Sequence, residues 1–259
     1  MLLAVDIGNT QTVIGLLEDG EIRQVWRLAT VTSRTSDELQ VLIREMFRTR
    51  GYSGEGIETV VIASVVPALT AAFEEIATSI AGRGPLVVGP GLKTGLRIEL
   101  ENPREVGADR IANAVAARTL YGAPSIVVDF GTATNIDVVS DSGTYLGGVI
   151  SPGLETSANA LFEHAARLSA IDLEFPASPL GRSTRTAVQS GLMFGEAAKV
   201  DGLVRAIWEE IGYETPVVAT GGLGQTVAPH CATVTAIDGD LTIKGLSIIA
   251  ESHLGAKRG

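Results

Sequence analysis

Hydrophobic positions near the N-terminus fall into short apolar or alternating runs, Leu2 to Val5, Thr12 to Leu17 and Ile22 to Leu28. They are separated by Asp6-Ile7-Gly8-Asn9-Thr10 and by Glu18-Asp19-Gly20, so the pattern predicts a β-meander with a tight turn at Asp19-Gly20. The period then lengthens. Ser36-Asp37-Glu38 offers helix-start chemistry, and Leu39, Leu42, Ile43, Met46 and Phe47 recur at helical spacing. A strand over Thr59 to Ser64, a helix over Leu69 to Ile80 and a strand over Leu86 to Val88, closed by Gly89-Pro90-Gly91, continue an α/β alternation.

The same grammar returns after the middle of the chain. A loop from Asn102 to Arg110 feeds an alanine-rich helix over Ile111 to Leu120, and Ser125 to Val128 then opens a second set of strands. Asp129-Phe130-Gly131-Thr132-Ala133-Thr134 stands where Asp6-Ile7-Gly8-Asn9-Thr10 stood in the first set. The two aspartates are 123 residues apart, near half the chain, which points to an internal duplication. Ile136 to Ser140 and Tyr145 to Ile150 complete the second meander, and helices are expected over Thr156 to Leu168, Arg185 to Ile211 and Leu241 to Leu254, with a strand over Pro216 to Ala219. Without a Ser/Gly linker between the halves, the expectation is two lobes packed around a cleft.

Composition narrows the function classes. A formal charge of −10 removes the clustered positive field that a sequence-independent grip on nucleic acid or an anionic membrane needs. Phosphate is still accessible to such a chain through backbone N–H groups, helix N-termini and a metal ion. Cys231 is the single cysteine, which excludes an intrachain disulfide and a cysteine-based zinc site. The N-terminus reads as a strand with no export signal, and a cytoplasmic location is expected.

Each acidic strand end could carry chemistry. Asp6 beside Gly8, Asn9 and Thr10 could hold Mg²⁺ while backbone N–H groups and the Thr10 hydroxyl face phosphate oxygens; an Asx-type turn capping a hairpin is the alternative. Asp129 and the Gly131-Thr132 turn would be the matching device, and the pair could share a triphosphate and its cation. Thr220-Gly221-Gly222 after an apolar strand would admit a nucleotide close to the backbone, or simply turn the chain. Gly147-Gly148 with Ser151-Pro152-Gly153 reads as a nucleotide-side wall or a bend. Asp109 is the candidate general base for a hydroxyl acceptor, with Arg110 as a clamp for a carboxylate; a helix-start Asp and a surface Arg in an ion pair is the structural alternative. His164, His230 and His253 lack metal spacing, and Trp26 and Trp208 read as core or interface.

Taken together, Asp6 to Thr10, Gly107-Ala108-Asp109-Arg110, Asp129 to Thr134, Gly147-Gly148 and Thr220 to Gly222 resemble type III pantothenate kinase over essentially the whole chain. The resemblance implies an α/β fold of two duplicated ribonuclease-H-like domains, of the acetate and sugar kinase, Hsp70 and actin superfamily, here expected at 1–117 and 118–259. It implies transfer of phosphate from ATP to pantothenate, the first step of coenzyme A biosynthesis, by a homodimer. By motif it assigns Asp6, Gly8, Asn9, Thr10, Gln11, Thr12 and Val13 to ATP phosphates, with Thr132, Gly221 and Gly222 as further nucleotide contacts. Asp109 becomes the proton acceptor, and Leu100, Gly107, Ala108, Asp109, Arg110 and Thr184 the pantothenate contacts. Mg²⁺ would involve Asp6, and a monovalent cation, K⁺ or NH₄⁺, would involve Asp129. The chain departs from the pattern at Leu100, where many members carry a tyrosine, at Asn135 in place of a common threonine and at Ser183 in place of an asparagine. The Leu100 change removes one potential hydrogen bond, about 1 kcal/mol. A nucleotide-binding regulator, or a kinase or phosphohydrolase with a different acceptor, are the competing readings.

Overall fold

The computed structural model describes residues 1–89, 91–164 and 171–255. Its order is β1 (Leu2–Ile7), β2 (Gln11–Glu18), β3 (Glu21–Ala29), α1 (Ser36–Thr49), β4 (Thr59–Ser64), α2 (Pro67–Ala81), β5 (Leu86–Val87), β6 (Arg97–Ile98) and α3 (Ala108–Leu120). There follow β7 (Ser125–Phe130), β8 (Ala133–Val139), β9 (Thr144–Pro152), α4 (Leu154–His164), α5 (Thr184–Ile211), β10 (Val217–Thr220), α6 (Gly224–Val227), β11 (Ala236–Ile237) and α7 (Leu241–Gly255). The expected continuation of the fourth helix through Leu168 and the turn residue Pro90 lie outside the described residues.

Two compact units emerge, Met1–Thr119 with the C-terminal segment from Leu241, and Leu120–Asp240. Placing everything after residue 117 in one C-terminal domain therefore misassigns α7. The reason is packing: α7 lies on β1, β2 and β4, with Ile243 against Gly15 and the backbone at Gly245 pressed on that of Ala112 in α3. An amphipathic period shows that a helix has an apolar face, but does not say which sheet that face covers.

In the first unit the strands run β3-β2-β1-β4-β5, with β1 antiparallel to β2 and parallel to β4. Leu3, Val5 and Ile7 project from one face of β1 into a core with Leu39, Ile43 and Phe47 of α1 and Leu69, Phe73 and Ile76 of α2. Trp26 belongs to that core, its ring 4.8 Å from Phe47 and 5.8 Å from Tyr52. Thr35 and Glu38 close a capping box at the start of α1. By strand alternation Ala4 and Asp6 point to the opposite face of the sheet, the one α7 covers.

The second unit repeats this plan. Its strands run β11-β10-β7-β8-β9, with β7 antiparallel to β8 and parallel to β10. Thus β7, β8, β9, β10 and β11 correspond to β1, β2, β3, β4 and β5. Ile126, Val128 and Phe130 enter a core with Met193, Ala197, Val200 and Val204 of α5, while Val127 and Asp129 alternate to the other face. The duplication read from the two aspartates is thus a duplication of sheet topology.

Candidate active site

In the first unit, β1 ends at Ile7 and the turn exposes Asn9, Thr10 and Gln11, with Asp6 and Val13 half-buried. Gly8 N–H donates to the Gln11 carbonyl at 3.0 Å, closing the turn. Thr30, just past β3, fastens it from below: its N–H donates to Thr10 O at 2.9 Å and its hydroxyl to Gly8 O at 2.8 Å. Since that hydrogen is committed, Thr12 donates its own hydroxyl to Thr30 Oγ1 at 3.0 Å. Thr12 is 2% exposed, and its side chain faces Thr30.

Asp109 sits in the first turn of α3, which begins at Ala108 and so starts earlier than the periodicity indicated. Its Oδ1 accepts from the Arg110 N–H at 2.8 Å. That bond fixes one oxygen at the helix N-terminus, where unpaired N–H groups favour a carboxylate. Gly107 abuts both the Asp109 carboxylate and Val65, and Val65 N–H donates to Ile7 O at 3.1 Å. The end of β1, the end of β4 and the start of α3 therefore meet, bringing Gly107, Ala108 and Asp109 beside the strand end that carries Asp6. Arg110 is half-buried, Ala108 is 7% exposed, and Leu100 is half-buried in the segment after β6.

The second unit builds a tighter turn. Asp129, half-buried, is the penultimate residue of β7; Gly131 N–H donates to Ala133 O at 3.0 Å, and Thr132 at the tip is exposed. Backbone closes on this turn from two sides. Gly153 N–H donates to Thr132 O at 3.1 Å, and a Cβ at Gly153 would lie 2.7 Å from that oxygen and closer still to Gly131 O. Gly221, at φ +89°, lies where a Cβ would stand 2.6 Å from Phe130 O and would collide with Asp129 Oδ1. Thr156 Oγ1 donates to Thr132 O at 2.6 Å. Gly222, which follows Gly221 in the chain, is exposed. Thr184 is exposed at the start of α5, whose cap is Ser183; a serine hydroxyl caps as an asparagine would, and here accepts from Thr186 N–H at 3.2 Å.

Three residues here lie outside the sequence motifs: Thr30, Glu196 and Lys199. Glu196 is 5% exposed and accepts from Thr134 Oγ1 at 2.6 Å and from Lys199 Nζ at 2.7 Å. An acidic residue recurring on the apolar face of α5 was the available clue. His230 is exposed and stacks on Phe175 at 3.5 Å. Among the described residues no three His, Cys, Asp or Glu converge as a metal cage. A donor set of single strand-end carboxylates fits Mg²⁺ held mainly by phosphate oxygens and water, the usual way it is bound in kinases.

A family model described as type III pantothenate kinase matches residues 2–206. The chain belongs to the type III pantothenate kinase family. Among solved structures it is similar to a Campylobacter jejuni protein provisionally assigned as a Baf family transcriptional activator, at 19% identity and TM-score 0.64, covering 98% of this chain and 99% of that one. It is also similar to component A of the (R)-2-hydroxyglutaryl-CoA dehydratase of Acidaminococcus fermentans, at 18% identity and TM-score 0.59, with 99% and 98% covered. The activator of the 2-hydroxyisocaproyl-CoA dehydratase of Clostridium difficile, with bound ADPNP, gives 13% identity and TM-score 0.56 over 100% and 97%. At these identities the likenesses show the fold, and it is the duplicated ribonuclease-H-like α/β fold expected for this kinase family. No helix among the described residues is long and apolar enough to cross a membrane.

Proposed function

We propose that this chain transfers the γ-phosphate of ATP to the hydroxyl of pantothenate, giving 4'-phosphopantothenate at the start of coenzyme A biosynthesis. The observation that carries the reading is the carboxylate of Asp109, fixed at the N-terminus of α3 inside the Gly107 to Arg110 motif, in a chain of this family. One Asp109 oxygen is held by the Arg110 amide, leaving the other to orient the acceptor hydroxyl and take its proton. Arg110 would pair with the pantothenate carboxylate, and Leu100, Gly107, Ala108 and Thr184 would complete its contacts. Gly8 to Val13 would support the phosphates through turn amides and the Thr10 hydroxyl, with Thr132, Gly221 and Gly222 against the nucleotide. Asp6 would hold Mg²⁺ and Asp129 a monovalent cation, K⁺ or NH₄⁺, which would offset phosphate charge. A homodimer and a cytoplasmic location belong to the same reading.

The test is turnover of pantothenate with Mg-ATP, with and without K⁺ or NH₄⁺, by wild type and Asp109→Asn. Cation-dependent turnover that falls by about 10²–10⁴ in the variant is expected from loss of a general base. Binding of ATP without pantothenate turnover under any cation would overturn the proposal in favour of a nucleotide-binding regulator or another acceptor.

A further inference from the structure

The buried stripe of α5 reads Gln189, Met193, Glu196, Ala197, Val200, Asp201 and Val204. Two acids on a face packed against a sheet are costly unless each is hydrogen-bonded. Asp201 is accounted for as a structural clasp: its oxygens accept from Ala232 N–H at 2.8 Å, and from Thr233 N–H at 2.9 Å and its hydroxyl at 2.7 Å, fixing the turn before β11. Glu196 is used differently. One oxygen takes the Thr134 hydroxyl, and the other takes Lys199, whose ammonium also donates to Pro152 O at 3.0 Å.

Those partners flank the Gly131-Thr132 turn on both sides. Thr134 is paired with Phe130 across the β7–β8 hairpin, and Pro152 precedes Gly153, whose N–H holds Thr132 O. In the first unit the topologically equivalent threonine is Thr12, and its hydroxyl meets Thr30. Gly153 occupies the place of Thr30, since each gives its N–H to the carbonyl at the tip of the turn, and a glycine has no hydroxyl to offer.

We propose that Glu196 and Lys199 are positioning residues that set the Gly131-Thr132 turn for nucleotide phosphate, substituting for the hydroxyl latch of the other unit. The inference rests on the reading of that turn as a nucleotide contact. Glu196 touches no substrate; it acts through Thr134, and Lys199 through Pro152, so both strand ends are tied to one helix. The bond to Thr134 is charge-assisted and shielded from water, the setting in which a hydrogen bond fixes geometry most firmly.

The test compares wild type with Glu196→Ala, Glu196→Gln, Lys199→Met and Thr134→Val, reading KM for ATP, KM for pantothenate, kcat, binding of a non-hydrolysable ATP analogue and amide hydrogen exchange over residues 130–134. Losing a buried charged hydrogen bond predicts a KM for ATP about tenfold higher in Glu196→Ala, with the KM for pantothenate within about twofold and faster exchange in the turn. Glu196→Gln keeps an acceptor for Thr134 and should recover most of the loss; Lys199→Met should fall between. Thr134→Val removes the same bond at nearly constant shape and stands in if Glu196→Ala fails to fold. A KM for ATP and exchange rates unchanged in Thr134→Val and Glu196→Ala would overturn the proposal, as would a melting-temperature loss with neither parameter moved. If wild type fails to phosphorylate pantothenate, the functional reading falls, and analogue binding with turn exchange still decides the role of Glu196.

Discussion

The two units use one sheet topology to present an aspartate and a small-residue turn, yet they support that turn with different chemistry. In the first unit, four residues, 8–11, separate the paired positions Ile7 and Thr12. In the second, three residues, 131–133, separate Phe130 from Thr134. The longer turn stands exposed and is latched by neutral hydroxyls from Thr30 and Thr12. The shorter one takes one hydroxyl, from Thr156, but is enclosed by backbone at Gly153 and Gly221 and anchored through a buried carboxylate. After a duplication the strand-end geometry is kept because the sheet dictates it, whereas the supports are free to diverge. Contacts made by backbone leave less room for change than contacts made by a hydroxyl.

That contrast is broken most severely at the two glycines. Gly153→Ala puts a methyl group into the Gly131 and Thr132 carbonyls, and Gly221→Ala adds a left-handed φ to a collision with Phe130 O and Asp129. Either change should cost on the order of 3 kcal/mol in the second unit and abolish saturable binding of an ATP analogue. Thermal melting and titration calorimetry check this. Wild-type affinity in both variants would show that the turn repacks freely, and the contrast between units would fail.

The hydroxyl latch should be softer. Thr30→Val keeps the branched shape and the backbone donation to Thr10 O while losing the bond to Gly8 O and the acceptor for Thr12. A loss of about 1 kcal/mol in stability and a KM for ATP raised by about fivefold or less are expected. An effect as large as that of Gly221→Ala would mean that the exposed turn is as tightly determined as the enclosed one.

Strand content and the doubled motif were legible because both are local: alternation marks the strands, and Asp-x-Gly recurs after a strand in each half. The start of α3 was read late because Ala108-Asp109-Arg110 carries no apolar residue large enough to show a period, although Asp109 is good first-turn chemistry. The short elements β6, β11 and α6 are below the length at which a period can be counted. Thr30 and Glu196 were invisible for another reason. Thr30 lies 22 residues from Gly8 and Glu196 lies 62 from Thr134, and only the folded sheet brings them together. Thr12 shows the converse: its place in the motif points to phosphate, and alternation in β2 turns its side chain inward, so only its backbone is left for that contact. The allegiance of α7 was likewise a tertiary fact.

The effect that is smallest near neutral pH distinguishes the units by their response to alkali. Cys231 belongs to the core of the second unit, and burial, reinforced by the carboxylates of Asp201 and Glu196, pushes its thiol up to about 12. Because the folded thiol ionises at higher pH than the unfolded one, the folded state binds the proton more strongly. This contribution to stability is full below the unfolded value near 9 and is lost as pH rises from there through about 12. The slope from one such group is at most about 1.4 kcal/mol per pH unit. Amide exchange should therefore show the second unit loosening ahead of the first between those pH values, and Cys231→Ala should flatten the difference. Equal alkaline loosening of both units in wild type, unchanged in Cys231→Ala, would place the sensitivity in groups the two units share.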